Sequence, residues 1–128
     1  MKVAISSKGP NIEDSVESRF GRAPYFVFID TKSMVYESLE NEYKDAMGGA
    51  GVQAAQIIAN RGAEALITGN VGPNAFKTLD SAGVEVYKAS GKIEDAVEKM
   101  KNDELEKLDN QTVPGHYGDK SRKGGRKR

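Results

Sequence analysis

The chain has 128 residues, 38 % apolar and 30 % charged, a length suited to one domain with one core. Its formal net charge of zero is a balance of opposites: residues 109–128 hold six Lys/Arg against two Asp, a local +4, so residues 1–108 carry 13 basic and 17 acidic side chains, or −4. A mildly acidic body argues against a nucleic-acid grip, and the absence of cysteine excludes disulfides and thiolate-ligated zinc or iron–sulfur sites built from this chain alone.

Val3-Ala4-Ile5 is a short apolar run closed by Ser6-Ser7-Lys8-Gly9-Pro10, the pattern of a strand ending in a turn. Ile12 and Val16, four apart in the polar stretch 11–18, predict one helical turn. Tyr25 to Ile29 is aromatic and β-branched and predicts the second strand. Asp30 to Ser33 is a turn, and 34–39 alternates as a third, antiparallel strand. Gly48-Gly49-Ala50-Gly51 then opens a helix over 52–60, with Arg61-Gly62 as its stop. Ala65 to Thr68 predicts strand four, and 69–74 leads into a helix through Ala75, Phe76 and Leu79 that Gly83 ends. Val84 to Tyr87 predicts strand five. Ile93, Ala96, Val97 and Met100 mark a third, amphipathic helix, which Leu105 and Leu108 extend or follow with a short extra turn. No apolar stretch is long enough to span a bilayer and none at the start resembles a signal peptide, so a soluble cytoplasmic protein is expected. Residues 109–128 offer almost nothing to bury and are expected to form a disordered basic tail behind a single domain of residues 1–108.

A three-strand meander followed by helix–strand–helix–strand–helix is an α/β domain with a mixed sheet. Right-handed crossovers set strands four and five parallel to strand one, with strand two alone reversed. The loops 7–24, 42–51, 69–74 and 89–92 then meet at one edge of the sheet, beside the switch point where open sheets form a binding crevice. Arg19 and Arg22 sit in the first of these loops, flanking Phe20-Gly21. Glycine-bearing loops and helix N-termini favour anions, and arginine adds forked, permanently charged donors. The alternative is that Arg22 pairs with Asp14 or Glu17 while Phe20 simply plugs the core.

The stretches KVAISSKGPNIEDSVESRFGRAPYFVFID and GGAGVQAAQIIANRGAEALITGNVGPNAFKTLDSAGVEVY, with the spacing between them, resemble the dinitrogenase iron–molybdenum cofactor biosynthesis family over about residues 1–105. That family groups small cofactor carriers of nitrogenase assembly with many short archaeal and bacterial members. The resemblance implies a ribonuclease-H-like five-stranded sheet of order 3-2-1-4-5, strand two antiparallel, flanked by helices. It also implies a non-enzymatic protein that binds or carries an iron–sulfur or iron–molybdenum type cluster. Nitrogenase-associated members typically carry histidine where this chain has Arg19, and some bring cysteines. Guanidinium does not ligate iron, so Arg19 would hold an anionic cluster through hydrogen bonds.

The residues expected to contact the ligand are Ser7, Gly9, Arg19, Phe20, Gly21, Arg22, Gly49, Gly51, Gly69, Asn70 and Gly72. His116 is the sole imidazole and the one metal-ligand candidate, lying in the tail. Residues 49–54 match the dinucleotide pattern G-x-G-x-x-A, but Asn70 stands where an acidic ribose ligand belongs, so tight turning and helix packing explain the glycines better. No phosphate-loop motif exists, and strand one lacks the carboxylates of a two-metal nuclease. The alternatives to a cluster carrier are a regulatory domain for a phosphorylated small molecule or nucleotide, and a protein–protein adaptor. The tail, with six positive charges in residues 120–128, is expected to solubilise; the alternatives are that it touches nucleic acid, an acidic partner or the crevice of its own body.

Overall fold

In the computed structural model, which describes residues 1–110 and 112, one mixed sheet separates two helical layers. The strands are β1 (Lys2–Ser7), β2 (Tyr25–Asp30), β3 (Tyr36–Glu40), β4 (Ala65–Thr68), β5 (Glu85–Lys88) and β6 (Glu106–Leu108), in the order β3-β2-β1-β4-β5-β6. β1, β4 and β5 are parallel, and β2 and β6 run antiparallel to their neighbours. The helices are α1 (Ala50–Asn60), α2 (Pro73–Ser81) and α3 (Ile93–Lys101).

Strand alternation sorts the core into two faces. Ala4, Phe26, Phe28, Leu66 and Val86 point to one side, where they meet Ala54, Ala55 and Ile58 of α1 and Ala75 and Leu79 of α2. Val3, Ile5, Val27, Ile29 and Ile67 point to the other and meet Ile93, Ala96 and Val97 of α3. The central strands are apolar on both faces because both are covered.

Two expectations about the sheet are corrected. The sheet has six strands, not five, and strand two is not alone in running backwards. Asp103 adopts a left-handed conformation (φ 61°) that ends α3, with the Glu104 N–H donating to the Lys99 carbonyl at 2.8 Å. The chain then turns back as β6. Leu105 and Leu108, three apart, look helical, but along extended backbone an odd spacing sends them to opposite faces: Leu105 packs towards α3, and Leu108 joins the α1–α2 side.

Residues 11–18 form no helix, only a single turn closed by Asp14 N–H donating to Asn11 O at 3.0 Å. The rest of their backbone is used tertiarily: Glu17 N–H donates to Ser6 O at 2.9 Å and Val16 N–H to Gly91 O at 2.8 Å, while Ile12 O and Asp14 O accept from Glu94 and Ile93. The tail expected from residue 109 lies outside the described residues except at Asp109, Asn110 and Thr112. Thr112 is hydrogen-bonded to Val71.

Candidate functional site

The segment Phe20–Arg22 is a single 3-10 turn leading into β2. Phe20 is 2 % exposed and its ring centroid lies 5.5 Å from that of Phe26, so it does plug the core. Gly21 explains why the turn needs glycine. A Cβ there would stand 2.8 Å from Gly51 N and 2.9 Å from Gly51 Cα, so the turn rests backbone to backbone on the first turn of α1. Gly51 in turn faces Ala75 of α2, where an added Cβ would come within 3.2 Å of the alanine methyl.

The next loop is stitched on from the other side. Asn70 N–H donates to Ser18 O at 2.6 Å and Phe20 N–H to Asn70 O at 3.1 Å. A Cβ on Gly69 would stand 2.6 Å from Ser18 Cα, so only glycine lets the β4–α2 loop approach this closely.

Asn41 went unnoticed in the sequence. It is buried, and its Nδ2 donates to Ala23 O at 2.9 Å and Gly21 O at 3.2 Å while its Oδ1 accepts from Tyr43 N–H at 3.0 Å. It therefore ties the end of β3 to the turn. An Asn that closes a strand and bonds its own chain two residues on is the only local signal for it.

These contacts enclose a cleft of about 590 Å³. Arg19 and the 20–22 turn form one wall, Gly49–Val52 a second, and Asn70 with Gly72–Ala75 a third. The starts of α1 and α2 both open onto it. α1 begins behind Gly49, in left-handed conformation (φ 76°), and α2 begins with Pro73 behind Gly72. Neither helix has a side-chain cap or an acidic residue in its first turn. The N–H groups of Ala50, Gly51, Val52, Asn74 and Ala75 have no acceptor among the described residues. Free N–H groups and the positive end of each helix dipole thus point into one space.

The arginines are held differently. Arg19 donates from its backbone N (3.1 Å) and its Nε (3.3 Å) to Glu17 Oε2, leaving a side chain 69 % exposed. Burial alone would push the Glu17 carboxyl up. The two Arg19 hydrogen bonds, with the Arg19 and Lys8 charges, outweigh it and hold the group below its ordinary 4.5. Arg22 pairs with neither Asp14 nor Glu17. Its Nη1 donates to Lys44 O at 2.9 Å and Ala46 O at 2.7 Å and so clamps the 44–46 loop. Nε and Nη2 of Arg22 and both Nη of Arg19 have no partner among the described residues.

Of the other expected contacts, Ser7 and Gly9 lie apart from the cleft walls. Ser7 is buried and its Oγ bonds both the carbonyl (2.5 Å) and the N–H (3.2 Å) of Gly9, a local turn at the end of β1. Gly69 faces a second cavity of about 420 Å³ on the far side of Asn70, which Lys88 and Lys99 also border. His116 lies outside the described residues. No group of three or more His, Asp or Glu side chains that could hold a metal ion occurs among the described residues, and none of their helices is long and apolar enough to cross a membrane.

A family model described as dinitrogenase iron–molybdenum cofactor matches residues 1–103. An uncharacterised protein of Methanocaldococcus jannaschii is 30 % identical over 113 residues, 85 % of this chain and 92 % of that one. The apo form of the orange protein from Desulfovibrio gigas superposes with a TM-score of 0.84 at 33 % identity, covering 88 % of this chain and 96 % of the other. A NifB-like protein from Thermotoga gives 0.76 at 41 % identity, covering 88 % and 97 %.

Proposed function

The chain belongs to the dinitrogenase iron–molybdenum cofactor family, and from that premise we propose that it binds and carries an anionic metal cluster of the iron–sulfur or iron–molybdenum kind, without catalysing a reaction. The cluster would be cargo held in the cleft between α1 and α2. One observation carries this reading: two helix N-termini without caps or acidic residues meet two arginines around one cavity.

The donor set fits an anion and not bare iron. Backbone N–H groups, guanidinium and the Asn70 amide give hydrogen bonds to sulfide or oxo groups, and no thiolate or imidazole stands among the described residues of the cleft. The chain's own work is to bind and orient. Arg19, kept in place by Glu17, and Arg22, kept in place by the 44–46 carbonyls, supply charge, and the helix N-termini supply fixed donors that need no rearrangement on binding. The same donors suit a phosphorylated small molecule or nucleotide, which is the second reading.

Anaerobic purification followed by metal and acid-labile sulfide analysis separates the two. A carrier retains both elements in fixed proportion and loses them together in Arg22→Ala. A preparation free of metal and sulfide that is stabilised against heat by a nucleotide supports the second reading and removes the first.

A further inference from the structure

The second cavity, of about 420 Å³, is built differently from the cleft on the other side of Asn70. Its floor is apolar: Val16, Ala89 and Leu105 all pack against the core on the α3 face of the sheet. Its rim carries four charged side chains. Lys88 stands at the end of β5 and Lys99 in the last turn of α3, with Glu104 and Glu106 on either side of Leu105. An apolar floor under a few converging polar groups, in a volume of this size, suits a small molecule.

The four charges form two opposite pairs that the backbone brings close and that nevertheless stay open. Lys88 and Glu106 are direct partners across β5 and β6, and Glu104 N–H donates to Lys99 O at 2.8 Å. Yet none of the four side chains makes a hydrogen bond or an ion pair among the described residues. Elsewhere the same two strands do close such a pair, with Lys107 Nζ 3.5 Å from Glu85 Oε2. The Asn70 side-chain amide, which borders the cavity, is also without a partner among the described residues.

Charge decides which ligand gains from this arrangement. A simple anion is drawn to the two lysines and repelled by the two glutamates, and a simple cation meets the reverse. A molecule with its own ammonium and carboxylate satisfies both sets, and an apolar body covers the floor. We propose that this cavity binds a free α-amino acid with an apolar side chain. Its carboxylate is held by Lys88 and Lys99 and its ammonium by Glu104 and Glu106, over Val16, Ala89 and Leu105. The site is separate from the anion cleft and stands whether or not that cleft holds a cluster.

The test is a titration of the isotope-labelled full chain with L-leucine, followed by backbone amide shifts. Saturable shifts should centre on residues 16–18, 88–90 and 104–106. Isocaproate, which lacks the ammonium, and isoamylamine, which lacks the carboxylate, should each bind about tenfold more weakly, as a lost charge-assisted bond requires. Glycine, without the apolar body, should lose about as much. Lys99→Gln and Glu104→Gln should each weaken L-leucine by about tenfold, whereas Lys101→Gln, on the same helix but outside the lining, should leave it unchanged. The amide spectrum of each variant shows directly that it is folded. No saturable shift at the solubility limit of L-leucine would overturn the proposal. Equal binding by isocaproate or isoamylamine would reduce the cavity to a plain ion or apolar site. Affinity unchanged in both Lys99→Gln and Glu104→Gln would place the amino acid elsewhere. Either result ends the proposal.

Discussion

The N-terminus of α3 and those of α1 and α2 lie at the same edge of the sheet, on opposite faces, and they are finished in opposite ways. At α3 the first N–H groups are used: Ile93 N–H donates to Asp14 O at 2.9 Å and Glu94 N–H to Ile12 O at 3.1 Å. Glu94 and Asp95 add negative charge in its first turn. At α1 and α2 no loop carbonyl, capping side chain or acid does the same work. A helix start that its own chain satisfies has nothing left for a ligand. A start left open costs the free protein stability, and two of them beside arginines store positive potential for an anion.

The largest expected break in this contrast comes from Gly21→Val. Its Cβ would collide with the backbone of Gly51, so the turn must leave α1 and the cleft wall must open. Overpacking of this kind costs about 3 kcal/mol, and a denaturant titration should report it. Gly48→Ala is the control, since a Cβ at Gly48 meets nothing within 4 Å, and its midpoint should not move.

Arg22→Ala should weaken an anion in the cleft by about 1.5–3 kcal/mol, the value of a charge-assisted hydrogen bond. The same change in Arg61, which pairs with Glu37 away from the cleft, should leave affinity alone. Equal losses from both would show a general effect of net charge.

Asn74→Asp makes α2 resemble α3. A carboxylate in the first turn should stabilise the free protein by about 0.3–1 kcal/mol and at the same time weaken anion binding. Opposite signs in melting temperature and affinity are the expected result, and a variant that loses both would contradict the idea of an open helix start.

The smallest effect concerns acid. The Glu17 pKa is lowered in the fold, so the stability it contributes is complete above its ordinary 4.5 and is lost as pH falls through the lower folded value. Glu17→Gln should remove that part of the acid dependence, visible in urea midpoints compared between neutral pH and the acid side of 4.5. It should also free Arg19 from its tether, loosening the cleft but not the core.

Much of the architecture was legible in residue patterns. β4 was read at Ala65 to Thr68 as it stands, the aromatic and β-branched run at 25–29 marks β2, and the helical stripe at Ile93, Ala96, Val97 and Met100 carries its period openly. Where apolar residues were too few to define a period, the reading went astray: Ile12 and Val16, and Leu105 and Leu108, each offered a single helical interval to two different structures. The cleft was partly legible, because right-handed crossovers bring the glycine loops and the Phe-Gly-Arg segment to one edge. Ser7 and Gly9 belong to the same edge by topology, yet they turn upon each other.

Sequence by itself determined the α/β class, the buried faces of the main elements, and the segregation of positive charge into residues 109–128, because period and charge are local and can be counted along the chain. Only the tertiary structure decided that Glu17 holds Arg19 and not Arg22, that Asn41 ties β3 to the turn, and that Gly21 rests on Gly51. It alone decided which helix starts are satisfied and which stay open. Apart from the Glu17–Arg19 pair, those outcomes depend on hydrogen bonds and close approaches between residues 18 to 82 positions apart, and no local pattern specifies where a distant carbonyl will end up.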